Sequence, residues 1–281
     1  MISTATVLIT GAARGLGFAA ARALAQDGAR VMLSDLGTDN QGQGRDPSVV
    51  AEAAERLRAE GFDVQGHCTD LSDEAECQAL VEACVAHFGG LDALVHNAGW
   101  VDYQPIEQSS ADFFERALAI NVMAPVWLCK HAWPHLQASP APRIVLSTSD
   151  RALYIPHARA GLAAYSAGKM AQVGLMNALA AEGAPHGIQV NALSPVARTR
   201  MWGEQGEPDD LKPEWVAPGV VFLASARCQV SGYVLRASNG QFCAERFEER
   251  QGVEYPRNLQ AVAASSAQEI AERWVEVCAR P

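Results

Sequence analysis

Tyr165-Ser166-Ala167-Gly168-Lys169 opens an apolar helical run, with a phenol and an amine four residues apart and so on one helix face. A tyrosine with its ordinary pKa near ~10 is a poor base at neutral pH, but an adjacent ammonium stabilises the phenolate, so this spacing makes an acid/base pair. The same spacing also arises by chance on many helix faces. Its weight comes from Ser149, which ends the run Ile144-Val145-Leu146-Ser147-Thr148-Ser149. That run reads as a strand, and a hydroxyl at its carboxyl end lies where doubly wound sheets bind ligands, within reach of a substrate oxygen beside Tyr165. Ser147 is the alternative serine, more distant in sequence from Tyr165.

A second group of residues fits phosphate. Thr10-Gly11-Ala12-Ala13-Arg14-Gly15-Leu16-Gly17 follows a strand-like run and opens a helical one. A turn this tight needs residues without a Cβ. Gly11, Gly15 and Gly17 let the backbone approach a pyrophosphate, whose charge then sits at the amino end of the helix opened by Leu16. Asp35 ends the next strand-like run about 20 residues later, the position of an acid that binds adenosine ribose hydroxyls. Its carboxylate would repel a 2′-phosphate, which predicts NAD over NADP, with Arg14 as the residue that partly accommodates the phosphate. Asp70-Leu71 follows the third strand-like run, where a short acceptor meets an adenine amino group or, equally, caps the helix beginning near Ser72 and Asp73. His131 and His135 are four apart, but Pro134 lies between them and no HExxH pattern is present, so no metal site is expected.

These residues must be positioned by an alternation of elements. Strand-like runs at 5–10, 30–34, 64–67, 93–96, 143–147, 189–193 and 233–237 alternate with helical patterns at 16–27, 48–60, 73–87, 109–136 and 163–184. Seven strands joined by helical crossovers predict one doubly wound α/β domain with a parallel sheet over residues 1–240. Residues 241–281 read as a charged, partly helical extension, with Ile270, Trp274 and Val277 on one face. Glycine-rich 37–47 and 199–213 read as loops. The 281 residues carry 22 basic against 32 acidic side chains, a net charge of −10, which excludes a broad nucleic-acid surface. No run of 18 apolar residues occurs and the amino end lacks the basic start and cleavage site of a signal peptide, so no membrane association and a cytoplasmic location are expected. Seven scattered cysteines without a CxxC pair read as reduced thiols.

Taken in order, TGAARGLG at 10–17, Asp70, Asn97-Ala98-Gly99, Asn121, Ser149 and Tyr165-x-x-x-Lys169 resemble the short-chain dehydrogenase/reductase family, across about residues 3–240. The resemblance implies a Rossmann fold. It also implies that Tyr165 is the general acid/base, Ser149 polarises the carbonyl, and Lys169 binds the nicotinamide ribose and lowers the tyrosine pKa. Asn121 would hold a water in a proton relay, Asn97, Ala98 and Gly99 would border the cofactor, and Pro195 and Thr199 would contact the carboxamide. Asp35-Leu36-Gly37 with its glycine-rich insertion, Arg198-Thr199-Arg200-Met201 and 211–218 (LKPEWVAP) are similar to the (3R)-hydroxyacyl-CoA dehydrogenase part of peroxisomal multifunctional enzyme type 2 and its bacterial relatives. Three departures stand out. His96 replaces the family's usual Asn, Val196 replaces a Gly, and the 16 residues from Ser149 to Tyr165 are about three more than the resemblance implies.

The expected activity is hydride transfer between a nicotinamide cofactor and a secondary alcohol or ketone, with hydroxyacyl-CoA or steroid-like substrates as candidates. Trp100, Tyr154 and Trp202 are candidates to line the substrate pocket, against ordinary packing, and Arg151, His157 and Arg159 lie in the insertion at its mouth. Arg151, Arg159, Arg198 and Arg200 are the basic residues near that mouth. A homodimer or homotetramer is implied by the resemblance. The rival readings are a dehydratase or epimerase on the same fold and a non-catalytic dinucleotide sensor.

Overall fold

The computed structural model describes residues 5–39, 41–199 and 209–278. Trp202, Arg200 and Met201 therefore lie outside the described residues. The chain divides into two compact units, 1–245 and 246–281. Unit one is built on a single sheet in the order β3-β2-β1-β4-β5-β6-β7-β8. The first seven strands are β1 (Thr6–Thr10), β2 (Arg30–Asp35), β3 (Val64–Cys68), β4 (Ala93–Val95), β5 (Arg143–Ser147), β6 (Gln189–Val196) and β7 (Val234–Ser238), all parallel.

The seven-stranded expectation is short by one. β8 (Gln241–Glu245) runs antiparallel to β7 and lies in what the sequence read as tail. Asn239 and Gly240 both have positive φ (51° and 75°), the geometry of a two-residue hairpin whose twist matches the strands it joins.

Consecutive residues of the central strands bury in opposite layers. Val7 and Ile9 of β1 pack with α1 (Gly15–Gln26), α2 (Pro47–Ala59) and α8 (Ala217–Ala224), whereas Leu8 packs with α3 (Glu74–Phe88), α5 (Ala124–Gln137) and α7 (Ala163–Gly183). A parallel sheet covered on both faces therefore needs apolar residues at every position, which is why these strands read as unbroken aliphatic runs. The helix expected over 109–136 is interrupted: α4 (Ala111–Leu118) and α5 are separated by a π-helical turn, Ala119–Met123. Ser110 caps α4 by accepting from Phe113 N at 3.2 Å. A short α6 (Asp150–Leu153) follows β5. In unit two the expected helical segment forms two short pieces, α9 (Ala267–Glu272) and α10 (Trp274–Val277), broken at Arg273. Among the described residues no helix is long and apolar enough to cross a membrane.

Candidate active site

A cleft of about 850 Å³ opens at the carboxyl ends of the strands, where the order reverses between β1 and β4. Gly11, Arg14, Gly15, Leu16 and Gly17 form its floor. Gly11 adopts φ +61°, and a Cβ on Gly17 would lie 1.9 Å from the Gly11 carbonyl oxygen, so neither position admits a side chain. The turn is locked from the neighbouring strand. Asn97 Nδ2 donates to Thr10 O at 3.1 Å and to Gly11 O at 3.0 Å. Thr10 Oγ1 accepts from the main-chain nitrogens of Asn97 and Ala98 at 3.2 and 3.1 Å.

Asp35 also serves this turn. Its carboxylate accepts from Ala13 N at 3.1 Å and Gly37 N at 2.9 Å, while the residue lines the cleft. Arg14 lines it too, donating to Thr38 O at 2.9 Å and leaving its buried Nε without a partner. Asp70 and Leu71 border the cleft beyond β3. Asp70 Oδ1 accepts from Ser72 N and Oγ at 2.9 and 2.7 Å, holding a turn, while the cap of α3 is Asp73. Asn97, Ala98, Gly99, Pro195 and Thr199 complete the lining.

At the other end of the cleft stand Tyr165 and Lys169, both on α7 and both lining it. Tyr165 is half-buried, and burial raises its pKa. A hydrogen bond from Ser149 and the charge of Arg151 act in the opposite direction. Ser149 caps α6, its Oγ accepting from Arg151 N at 3.3 Å. Ser147 is already committed: its hydroxyl donates to His96 O at 2.8 Å. Ser147 and Thr148 line the cleft and Ser149 does not, but Ser149 is the serine that acts on the Tyr165 phenol. Lys169 is 5% exposed, and burial lowers its pKa to about 8. Its Nζ is 5.9 Å from the Tyr165 ring centre. A Cβ on Gly99 would meet that Nζ at 3.2 Å, so Gly99 leaves the room the ammonium occupies.

Asn121 sits in the π-turn and is fully buried. Its Oδ1 accepts from Trp100 N at 3.2 Å, its Nδ2 donates to Trp100 O at 2.8 Å, and its main-chain carbonyl accepts from Gln172 Nε2 at 3.0 Å. That side chain anchors the backbone after Gly99. π-Turns displace main-chain groups from the helical ladder, and Gln172 takes up one of them. Its Oε1 accepts from Ser147 N at 2.9 Å, so one buried carboxamide ties β5 to the π-turn.

His96 closes a second buried network. Thr10 Oγ1 already accepts two N–H bonds, which leaves its proton for His96 Nδ1 at 3.2 Å, while His96 Nε2 is buried without a partner among the described residues. Burial, and then the nearby charge of Lys169, lower the His96 pKa to about 3.

Of the substrate-pocket candidates, Trp100 lines the cleft, stacked under Arg116 at 4.8 Å and edge-on to Phe113 at 5.2 Å. Tyr154 does not line it; its ring lies under Arg236 at 4.4 Å and near His157 at 5.9 Å, because the α6 turn carries it away from Tyr165. The lone histidine pair resolves into surface contacts, with His131 Nε2 3.3 Å from Glu74 Oε1. Residues that the sequence left unnoticed include Gln172 and the Asp150–Arg236 pair. The signal for Gln172 was a polar side chain three residues beyond Lys169 in an otherwise apolar run.

The residues fit a dinucleotide: a glycine-bearing turn at the amino end of α1, an acid at the end of β2, and a buried ammonium with no carboxylate partner among the described residues. Comparison with known proteins agrees with this geometry. A mouse protein, peroxisomal multifunctional enzyme type 2, is 30% identical over 277 residues, 97% of this chain, though the chain spans only 36% of that protein's length. A short chain dehydrogenase from Mycobacterium avium superposes over 100% of this chain and 97% of its own with a TM-score of 0.82 at 28% identity. Carveol dehydrogenase from Mycobacterium avium, solved in complex with NAD, superposes over 84% and 96% of the two chains with a TM-score of 0.74 at 26% identity. The family model for short chain dehydrogenases matches residues 5–210, and the chain belongs to that family.

Proposed function

We propose that this protein is an NAD-dependent dehydrogenase that interconverts a secondary alcohol and a ketone. The observation that carries the reading is the convergence of Ser149, Tyr165 and Lys169 beside a glycine turn of dinucleotide shape. In this reading Gly11, Gly15, Gly17 and Leu16 hold the diphosphate, Asp35 the adenosine ribose, Asp70 and Leu71 the adenine, and Lys169, Pro195 and Thr199 the nicotinamide half. The bound nicotinamide supplies the hydride acceptor in oxidation and the donor in reduction. Ser149 orients the substrate oxygen. Tyr165, as phenolate, takes the hydroxyl proton in oxidation and returns it in reduction. Asn121 acts by pinning the Gly99–Trp100 backbone, which keeps the space around Lys169 open.

NAD is favoured over NADP because Asp35 ends β2, the position of an acid that binds the adenosine ribose hydroxyls and would repel a 2′-phosphate; the NAD complex of the carveol dehydrogenase supports the same choice. The family resemblance supports a homodimer or homotetramer. The likeness to peroxisomal multifunctional enzymes makes 3-hydroxyacyl thioesters and sterol-like alcohols the first substrates to try. The test is NAD⁺ reduction across such a panel, with Tyr165→Phe as control. Loss of general acid/base catalysis lowers kcat by about 100-fold or more. A Tyr165→Phe enzyme that keeps more than about a tenth of kcat overturns the role given to Tyr165. NADP⁺ preferred in kcat/KM overturns the cofactor choice.

A further inference from the structure

The segment after β5 carries opposite charges on consecutive residues that face in different directions. Asp150 turns back onto the sheet, where its carboxylate accepts from Arg236 Nη2 at 2.7 Å, Arg236 Nε at 3.1 Å and Ser194 Oγ at 2.7 Å. Ser194 and Arg236 are register partners on β6 and β7, so two neighbouring strands grip the first residue of α6. Arg236 is held on its far side by Glu245 of β8 at 3.1 Å. This mount fixes the turn that bears Ser149.

Arg151 faces the cleft from that mount. It lines the cavity with Tyr165 and is half-buried, and its charge reaches the phenol. No carboxylate among the described residues pairs with it; its one side-chain hydrogen bond is a long 3.5 Å contact to His157 O. Two other arginines near this mouth, Arg198 and Arg159, are differently placed. Arg198 is paired with Asp210 at 3.2 Å, and exposed Arg159 donates to Ala158 O at 2.9 Å. A guanidinium held on a fixed turn, partly desolvated and two residues from the serine that orients the substrate oxygen, offers a planar fork matched to a carboxylate.

We propose that Arg151 recognises a carboxylate on the substrate, so that the substrate class is hydroxy acids and the corresponding oxo acids. This rests on the redox reading above. Ser149 and Tyr165 hold the carbinol oxygen while Arg151 holds the carboxylate, and the two attachments fix which enantiomer turns its carbinol hydrogen toward the nicotinamide. Arg151 makes and breaks no bond, so the balance of the reaction is that of the alcohol oxidation itself. A sterol offers no anion to this residue, and an acyl-CoA carries its phosphates at the far end of a long arm.

The experiment compares 2-, 3- and 4-hydroxy acids with their neutral methyl esters, as NAD⁺-linked substrates of the full chain. A charge-assisted contact favours the acid by about tenfold or more in kcat/KM at the chain length that spans Ser149 to Arg151. In Arg151→Gln and Arg151→Met the acid-to-ester ratio falls to about one. Esters matching or exceeding acids throughout the series overturn the proposal, and that comparison needs no variant. A ratio unchanged in the variants, with the pH profile displaced equally for acid and ester, also overturns it, since Arg151 would then act on the phenol alone. Titration of oxo acids and their esters into the protein with NADH, followed by calorimetry, separates this proposal from the redox reading. Arg151-dependent preference for the oxo acid without turnover of any alcohol keeps the anion site and rejects the dehydrogenase.

Discussion

Lys169 is an amine buried to 5% exposure before any cofactor arrives, with its pKa lowered from 10.5 to about 8 by burial. Below pH 8 it is charged in both the folded and unfolded chain, and the folded state bears the whole desolvation penalty. Above its unfolded pKa it is neutral in both, and the penalty is gone. Between those limits the unfolded chain binds more protons, so stability rises with pH. A shift of this size corresponds to about 3 kcal/mol at pH 7. Lys169→Met keeps the chain length and removes the charge, so the variant without cofactor should be more stable than the wild type at pH 7. Its advantage should shrink by about 2.5 kcal/mol by pH 10, or about 5 °C in Tm for a chain of this size. Paired thermal melts of the two proteins at half-unit pH intervals read the difference directly, and titrations elsewhere cancel. A Tm difference that does not change with pH, or one that grows in favour of the variant as pH rises, refutes the reasoning.

Gly17→Ala should destabilise the protein by about 3 kcal/mol and abolish NADH binding, because the added methyl overlaps the Gly11 carbonyl; a wild-type Tm with normal NADH fluorescence would contradict this. Asp150→Asn should lose about 1–2 kcal/mol, discounted for the 31% exposure of the Arg236 side chain, and lower kcat through misplacement of Ser149. Burial opposes ionisation of Asp150, but hydrogen bonds from Arg236 and Ser194 hold its pKa below the ordinary value. The pair's contribution is therefore present above about pH 4 and lost as pH falls below it, and the wild-type and Asp150→Asn stabilities should converge in acid. Gln172→Leu leaves Ser147 N and Asn121 O without their partner and should cost about 2–3 kcal/mol in urea denaturation; an unchanged midpoint would mean that the bridge contributes nothing.

The parts of this site legible in the sequence are those whose chemistry is local. The glycine turn shows itself through local demands, the positive φ of Gly11 and Gly15 and the approach of Gly17 to the Gly11 carbonyl, and Tyr165 and Lys169 share a face by helical spacing alone. Long-range partners were less visible. Asp150 meets Arg236 across 86 residues, so nothing near either position announces the pair. Tyr154 was expected at the pocket from its place in the insertion, but the direction of a side chain after a four-residue helix depends on what grips that helix. β8 was missed for a different reason: Gln241–Glu245 has weak strand character, and the local clue was the Asn239-Gly240 pair. The π-turn has no compositional mark at all, since its residues suit an α-helix as well.

That π-turn lets the helical segment from 111 to 137 carry one residue more than a regular helix of the same orientation would. It contains the equivalent of one inserted residue, and each α-helical residue turns the chain by about 100°. Deleting one residue of Ala119–Met123 would let the ladder close into a regular helix with α4 and α5 keeping their mutual orientation, because the wider turn already absorbs the rotation of the extra residue. The apolar stripe of α5 would stay on the sheet, while Asn121 would lose the position from which it holds Trp100. Alignment gaps within this helix are therefore functional events, and a relative lacking one residue here would have to anchor its Gly99–Trp100 backbone by other means.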